Sequence, residues 1–253
     1  MDGLLSGTLD GAALTLDETI RLCSRGLELA AVAVADVSAG ADVLMVKPSI
    51  TELGALEGHR IALELGSVSS IMLFKILEVA GLGPNDVIIV DLPVSEHAQA
   101  WSRDEVDACV CYEPTASVIE NAGGVRLFDS RDIPETIFDV LVVTREAADR
   151  NPRAVRDLVS GHFRGLQHLV RSMHDSVYRI ANRHGISPAE VRAALATVML
   201  PDLAANQRYL RVAGAIENMA ASLSRLMLAE GMIDQKPGIQ RLSDPSFLPA
   251  RIL

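Results

Sequence analysis

A serine-rich turn between residues 64 and 70 is the part of the sequence best suited to hold a polar ligand. Its pattern predicts a strand, a glycine turn at Gly66 and then a helix. The first turn of a helix has unpaired backbone N–H groups and the positive end of the helix dipole, and both attract anions. We therefore expect Ser67, Ser69 and the backbone N–H of Val68 to contact a sulfonate, carboxylate or phosphate oxygen. The alternative is a simple helix cap, which needs only one serine.

Two acidic residues lie where the pattern predicts buried strands. Glu113 follows one such strand and precedes Pro114, and Asp139 interrupts the apolar run from Ile137 to Val143. A buried carboxylate is costly unless it is paired or hydrogen-bonded. A ligand amine or amidine could supply that partner, and so could an arginine or a backbone N–H of the protein. As a general acid and base the two residues lack a nucleophile or a metal to complete a catalytic set.

Thr15 and Asp36 are two further candidate ligand contacts, because each lies at the end of a predicted strand. Both residues also have a structural alternative. Thr15 with Glu18 forms a capping box that would begin a helix at Leu16. Asp36 could brace the loop that follows it.

The sequence predicts no metal site and no cofactor. Cys109, Cys111 and Glu113 fall on one face of a strand, but cysteine in a buried strand packs as a small hydrophobic residue. Histidines six residues apart point in different directions around a helix, which removes His162, His168 and His174 as a ligand set. Walker loops and dinucleotide-binding glycine motifs are absent from the sequence.

Composition restricts the classes of partner. Of the 253 residues 49% are hydrophobic, only 4% are aromatic, and the formal net charge is −10, which makes nucleic acid a poor partner. No apolar run of about 18 residues predicts direct membrane insertion. The first ten residues lack a basic segment followed by an apolar core, so we expect no signal peptide in this chain, and a cytoplasmic location stays open.

Strands alternate with helices from residue 11 to 143, which predicts an α/β fold with mainly parallel sheets. The rest of the chain is predicted to be helical. Asn151 and Pro152 are typical of a helix start, and Ser187 with Glu190 forms a second capping box. The predicted helices cover residues 152–183, 188–199 and 203–229.

Ten segments occur in the order and spacing of one protein family. They are Leu5–Ala12, Asp36–Asp42, Leu56–Ala62, Gly66–Ser69, Val106–Ala108, Glu113–Pro114, Asp139–Val143, Asn151–Pro152, Gly231–Ile233 and Leu242–Leu248. Through them the chain resembles the nitrate, sulfonate and taurine type of solute-binding proteins of ABC importers, a group that includes binders of thiamine pyrimidine precursors. The resemblance covers nearly the whole chain.

The resemblance implies a periplasmic-binding-protein type II fold with two lobes and a helical C-terminal part. Residues 1–47 with 145–253 would form the first lobe and residues 58–136 the second, with hinge strands at 43–47 and 137–143. Family members begin with a signal peptide and a βαβ unit, and we expect this chain to start after that unit. A homo-oligomer that covers an incomplete first lobe stays open.

By resemblance the protein would not be an enzyme. It would bind a small polar molecule, close by hinge bending, and deliver the ligand to an ABC transporter permease from the periplasm. The acidic candidates favour a taurine-like sulfonate or an aminopyrimidine over bare nitrate, because their carboxylates would repel the nitrate anion. Two alternatives remain: a cytoplasmic enzyme of menaquinone- or thiamine-precursor type on the same fold, and a ligand-sensing module of a larger protein.

Overall fold

A computed structural model describes residues 1–211 and 213–252 of the chain. They form two compact units, Met1–Val37 with Ile137–Leu253, and Ser38–Thr136. The strands are β1 (Gly11–Thr15), β2 (Leu29–Ser38), β3 (Val43–Val46), β4 (Arg60–Leu63), β5 (Ile88–Asp91), β6 (Ala108–Cys111), β7 (Val125–Asp129), β8 (Phe138–Thr144) and β9 (Val198–Met199). The helices are α1 (Asp2–Leu5), α2 (Leu16–Ser24), α3 (Val68–Ala80), α4 (Val94–Ser102), α5 (Thr115–Asn121), α6 (Arg145–Arg150), α7 (Pro152–Arg171), α8 (Met173–His184), α9 (Pro188–Leu195), α10 (Leu203–Tyr209) and α11 (Ala215–Ala229).

The first unit is built on a four-stranded sheet with the order β1-β8-β2-β9. Strand β8 pairs antiparallel with both β1 and β2. The continuous apolar run of β2 is buried because helices cover the sheet. Helix α7 places Val159 and Phe163 against Ala30 and Val143 of the sheet, in a cluster that also includes Phe247 near the C-terminus.

The C-terminal segment of the first unit is bound to the start of β2. The backbone N–H of Ala31 donates to the carbonyl of Leu242 at 2.7 Å, and the N–H of Asp244 donates back to the Ala31 carbonyl at 2.9 Å. Asp244 also forms an ion pair with Arg145 at 2.7 Å. These contacts explain why the tail, which has little regular structure, is nevertheless ordered against the sheet.

The second unit is built on a five-stranded sheet with the order β5-β4-β6-β3-β7. Strand β4 pairs parallel with β5 and β6, whereas β3 pairs antiparallel with β6 and β7. One face of this sheet packs against α4 and α5 through an apolar cluster around Met45, Trp101 and Ile119. Cys109 and Cys111 belong to that cluster and are buried. They pack as hydrophobic residues, as the sequence predicted.

Several predictions about the fold need correction. The α/β class is right, but the sheets are mixed rather than mainly parallel, because β8 and β3 each run antiparallel to both of their neighbours. The predicted hinge strand at 43–47 differs from the structure, since β3 lies inside the five-stranded sheet with partners on both sides. The chain passes from the first unit to the second between Val37 and Ser38, so residues 38–57 belong with the second unit.

Two predicted helices are divided in the structure. The helix predicted over 152–183 is interrupted at Ser172, whose backbone angles (φ −128°, ψ 46°) leave the helical region between α7 and α8. The helix predicted over 203–229 is also two helices, because the backbone at Gly214 passes close to the carbonyls of Tyr209 and Arg211. A Cβ atom at Gly214 would lie 2.6 Å from either oxygen, so this approach requires glycine.

Candidate functional site

One edge of the five-stranded sheet brings together the ends of four strands. Strands β4 and β6 are parallel neighbours, so both point their carboxyl ends to this edge. Val43, the first residue of β3, lies opposite Cys111 at the end of β6 and opposite Asp129 at the end of β7. The serine turn after β4, Glu113 after β6 and the loop before β3 therefore lie along the same edge. We call it the upper edge.

The serine turn is a tightly hydrogen-bonded helix start. Ser67 is the N-cap of α3, and its hydroxyl accepts the N–H of Ser69 at 3.2 Å while it donates to the carbonyl of Glu64 at 2.8 Å. The hydroxyl of Ser70 accepts the N–H of Gly66 at 2.9 Å. The N–H groups of Ser67 and Ser70 donate to the carbonyls of Glu64 and Ser67, so the turn's own side chains and carbonyls fix its shape.

The hydrogen bonds show which donors of the turn are left for a ligand. Among the residues that the structure describes, none accepts a hydrogen bond from the N–H of Val68, the first residue of α3. The single hydrogen of Ser67 is already given to Glu64, so this hydroxyl has no proton for an anion. Ser69 is the buried serine that follows. The hydrogen bonds leave the N–H of Val68 open and give Ser67 the role of a cap, while ligand contact by Val68 and Ser69 stays a prediction.

The neighbouring strand β5 helps to hold the turn. The carboxylate of Asp91, at the end of β5, accepts the N–H of Leu65 at 2.9 Å. The sequence analysis did not select Asp91. It could have been found as the last residue of a parallel strand adjacent to β4, because such strands end at the same edge.

Glu113 has partners within the protein. Its carboxylate accepts the N–H of Ser117 at 3.1 Å and lies 3.5 Å from the guanidinium of Arg126. Arg126 lies on β7, and its guanidinium also donates to the carbonyl of Gly40 at 3.1 Å. One cation therefore joins the end of β6, strand β7 and the loop before β3. The arginine and backbone N–H partners named as one alternative are present, and contact of Glu113 with a ligand stays a prediction.

The loop before β3 is held by buried hydroxyl groups. The hydroxyl of Ser38 donates to the carboxylate of Asp42 at 2.7 Å and lies 2.7 Å from the hydroxyl of Ser130. Ser130 in turn accepts the N–H of Gly40 at 2.6 Å. Gly40 has a φ of +109°, which a residue with a side chain rarely adopts. The predicted bracing of this loop is thus carried by Ser38, Asp42 and Ser130.

The three other predicted contacts lie together in the first unit. Thr15 on β1 lies opposite Asp139 on β8, and Asp139 lies opposite Asp36 on β2. All three side chains are half-buried. Thr15 forms the predicted capping box, since it accepts the N–H of Glu18 at 3.4 Å and the Glu18 carboxylate accepts the Thr15 N–H at 3.2 Å. The sheet register thus brings these three residues into one row across three strands.

Besides Asp91, two further residues of the upper edge were missed by the sequence analysis. Arg126 lies on a strand that it did not predict, although the glycine pair before Val125 and the mixed apolar run after it are signals for a strand. Tyr112 is 43% exposed between Cys111 and Glu113. Partial burial, followed by the nearby charges of Glu64 and Asp42, raises the pKa of its phenol. Its hydroxyl therefore remains a neutral donor at physiological pH.

Within the described ranges, no cluster of three or more histidine, cysteine or acidic side chains is arranged for a metal ion. Burial raises the pKa of the Cys111 thiol to about 12 and that of Cys23 to about 11, so neither is a thiolate at neutral pH. His168 pairs instead with Asp175 at 3.3 Å. Among residues 1–211 and 213–252, no helix combines the length and apolar character that crossing a bilayer needs.

Comparisons with known proteins agree with this geometry. The profile of the NMT1-like family matches residues 1–177. The chain is 30% identical over 118 residues to the taurine-binding periplasmic protein of Escherichia coli K12, covering 46% of this chain and 37% of that protein. It is 28% identical over 173 residues to a putative aliphatic sulfonates-binding protein of the same organism, covering 67% and 53%. The chain thus spans about half or less of the length of these relatives.

Solved structures show the same fold. The periplasmic aliphatic sulphonate binding protein SsuA from Escherichia coli superposes with a TM-score of 0.81 at 20% identity, over 96% of this chain and 82% of that one. The desulfurization enzyme DSZB superposes with a TM-score of 0.67 at 16% identity, over 94% and 85%. The fold is therefore the α/β fold of SsuA-type periplasmic binding proteins, as the sequence predicted. Since its profile covers well over half of the residues, the chain belongs to the NMT1-like family.

Proposed function

We propose that this protein is the solute-binding component of an ABC importer and that its ligand is a small organic sulfonate. The observation that carries the proposal is the start of α3, where the N–H of Val68 is open while the N–H groups of Gly66, Ser69 and Ser70 beside it have partners within the protein. A preformed donor at the positive end of a helix binds an oxyanion without reorganisation of the backbone. Taurine and aliphatic sulfonates are the ligands named for the two relatives.

The proposed transport role includes a periplasmic location and a permease partner. The location is supported by relatives named as periplasmic binding proteins. The permease partner is supported by the family resemblance and by a similar structure named as part of a putative sulfonate ABC transporter. The hinge closure expected from the resemblance stays a prediction, and so do the contacts of Thr15, Asp36 and Asp139 with a ligand.

An enzyme is the second candidate, because a desulfurization enzyme shares the fold. The cysteines of this chain disfavour it. All three cysteines of the chain are buried, and burial raises the pKa of each thiol, so none is ready to act as a nucleophile. A binding protein needs only the donors that the upper edge provides.

Isothermal titration calorimetry of the folded chain tests the proposal. We expect one-to-one binding of taurine or 1-propanesulfonate, with no product formed when the ligand is recovered by chromatography after prolonged incubation. Nitrate and an aminopyrimidine serve as comparison ligands. Failure of both sulfonates to bind would refute the proposal. Hydrolysis of several equivalents of sulfonate per protein, with water giving an alcohol and sulfite, would support the enzyme instead.

A further inference from the structure

We infer that Arg126 determines which ligand charge the upper edge accepts, and that it does so through Glu113. This inference deepens the proposed function and rests on it. Nothing in the sequence pattern assigned a role to Arg126, which enters only through its contacts in the folded chain.

Arg126 and Glu113 form a partly exposed ion pair at the upper edge of the sheet. Arg126 lies opposite Met45 in the register of β7 with β3, and its guanidinium extends to Glu113 at 3.5 Å and to the Gly40 carbonyl at 3.1 Å. The side chains of both Arg126 and Glu113 are about one quarter exposed, at 27% and 29%. Their charges are therefore only partly screened by water and are felt at the edge of the sheet.

The carboxylates around this ion pair make its net charge important for a charged ligand. Five carboxylates lie along the upper edge: Glu64 follows β4, Glu113 follows β6, Asp42 precedes β3, and Asp91 and Asp129 end β5 and β7. Asp42 is already bonded to Ser38. With Arg126 in place Glu113 is neutralised, and a sulfonate at the start of α3 meets less negative charge. Without Arg126 the Glu113 carboxylate would repel a sulfonate and attract an ammonium group.

Two ligands of nearly equal shape report this preference directly. Taurine and 1-propanesulfonate differ in an ammonium group against a methyl group, and both carry the same sulfonate. The ratio of their dissociation constants therefore measures how the site treats a positive charge. We expect Arg126→Gln to shift this ratio about tenfold toward taurine, as an unpaired carboxylate near the ligand would.

A double-mutant cycle identifies the route of the effect. Glu113→Gln alone should shift the ratio in the opposite direction, toward 1-propanesulfonate, because it leaves Arg126 unneutralised. The Arg126→Gln, Glu113→Gln double variant should return to within twofold of the wild-type ratio. Arg103→Gln, an exposed arginine of the same unit, serves as the matched control and should leave the ratio unchanged.

The outcomes separate this inference from the proposed function. A ratio for Arg126→Gln within twofold of wild type would overturn the inference while sulfonate binding itself stands. Failure of the double variant to restore the ratio would also overturn it, since Arg126 would then act on the ligand directly. If Arg126→Gln does not fold, the Glu113→Gln variant tests the inference. An unchanged ratio of dissociation constants in that variant would overturn it. Failure of wild type to bind either sulfonate refutes the proposed function, and the inference with it.

Discussion

The side-chain amide of Asn206 forms the two hydrogen bonds with the backbone of Val34 that a neighbouring strand would otherwise form. Its oxygen accepts the N–H of Val34 at 2.7 Å, and its nitrogen donates to the Val34 carbonyl at 3.1 Å and to the Pro201 carbonyl at 3.1 Å. Both residues are fully buried. The register of β2 shifts on either side of Val34, so the backbone there departs from the regular ladder. Asn206 thus provides hydrogen-bond partners for the backbone N–H and carbonyl of Val34, which lies two residues before Asp36.

Replacement of Asn206 by alanine should destabilise the protein strongly. The substitution leaves a buried N–H and a buried carbonyl without partners, and we expect a loss of about 2–4 kcal/mol in the free energy of unfolding. Urea denaturation followed by circular dichroism measures it. Asn218→Ala is the control, because Asn218 is exposed and its side chain donates to the carbonyl of Ala213. Equal losses for the two variants would contradict the role given to Asn206.

Replacement of Val68 by proline tests the open donor at the start of α3. Proline removes the N–H but suits the first position of a helix, and the extended backbone of Ser67 is compatible with a following proline. We therefore expect an intact fold and a loss of about 10- to 100-fold in sulfonate affinity, the value of a charge-assisted hydrogen bond. Val68→Ala keeps the N–H and is the control. Unchanged affinity in the proline variant would exclude this donor from the site.

Alanine substitutions of the two serines of the turn should have different effects on stability and on sulfonate affinity. Ser67→Ala removes a helix cap, so we expect a loss of about 1 kcal/mol in stability with little change in sulfonate affinity. Ser69→Ala removes a proposed ligand donor, so we expect an affinity loss of about fivefold to tenfold with a smaller effect on stability. Thermal denaturation and calorimetry measure the two effects. The reverse pattern would make Ser67 the ligand contact.

The stability of the second unit should fall at low pH through Asp107. Its carboxylate accepts the Nε of Arg60 at 3.0 Å and an Arg60 terminal nitrogen at 2.8 Å, and these bonds hold its pKa well below the ordinary value. A lowered pKa in the folded state means that this stabilisation is complete above the pKa of the unfolded chain, near 4, and is lost as the pH falls below it.

The Asp107→Asn variant tests this dependence of stability on pH. We expect the variant to lose about 1–3 kcal/mol at pH 7, and the difference from wild type to shrink between about pH 5 and pH 2. Glu105→Gln, an exposed acid two residues away, is the control and should show no such trend. A difference between wild type and Asp107→Asn that is constant from pH 7 to pH 2 would show that the carboxylate charge is not the cause.

Local signals predicted much of the secondary structure because their partners are close in the chain. The capping boxes at Thr15 and Ser187 were read from residues three positions apart, and both are observed. Gly81 ends α3 in the left-handed conformation expected of a helix-terminating glycine. The serine turn was likewise recognised before the fold was known.

The same local signals did not predict strand direction or the extent of the units. Alternating strands and helices suggested parallel sheets, but the direction of β8 and β3 depends on partners far away in sequence. A short apolar strand such as Val43–Val46 looks the same whether it lies within a sheet or leads out of one. For this reason its place in the five-stranded sheet came only from the structure.

The sequence by itself determined the α/β class, the family resemblance, the helix starts and the serine turn, because these depend on the order of neighbouring residues. Only the tertiary structure decided which donors of that turn remain open, that Arg126 pairs with Glu113, and that Asn206 completes β2. Each of these relationships joins groups whose distance is set by packing. Asn206 and Val34 are 172 positions apart, and no local pattern records such a pair.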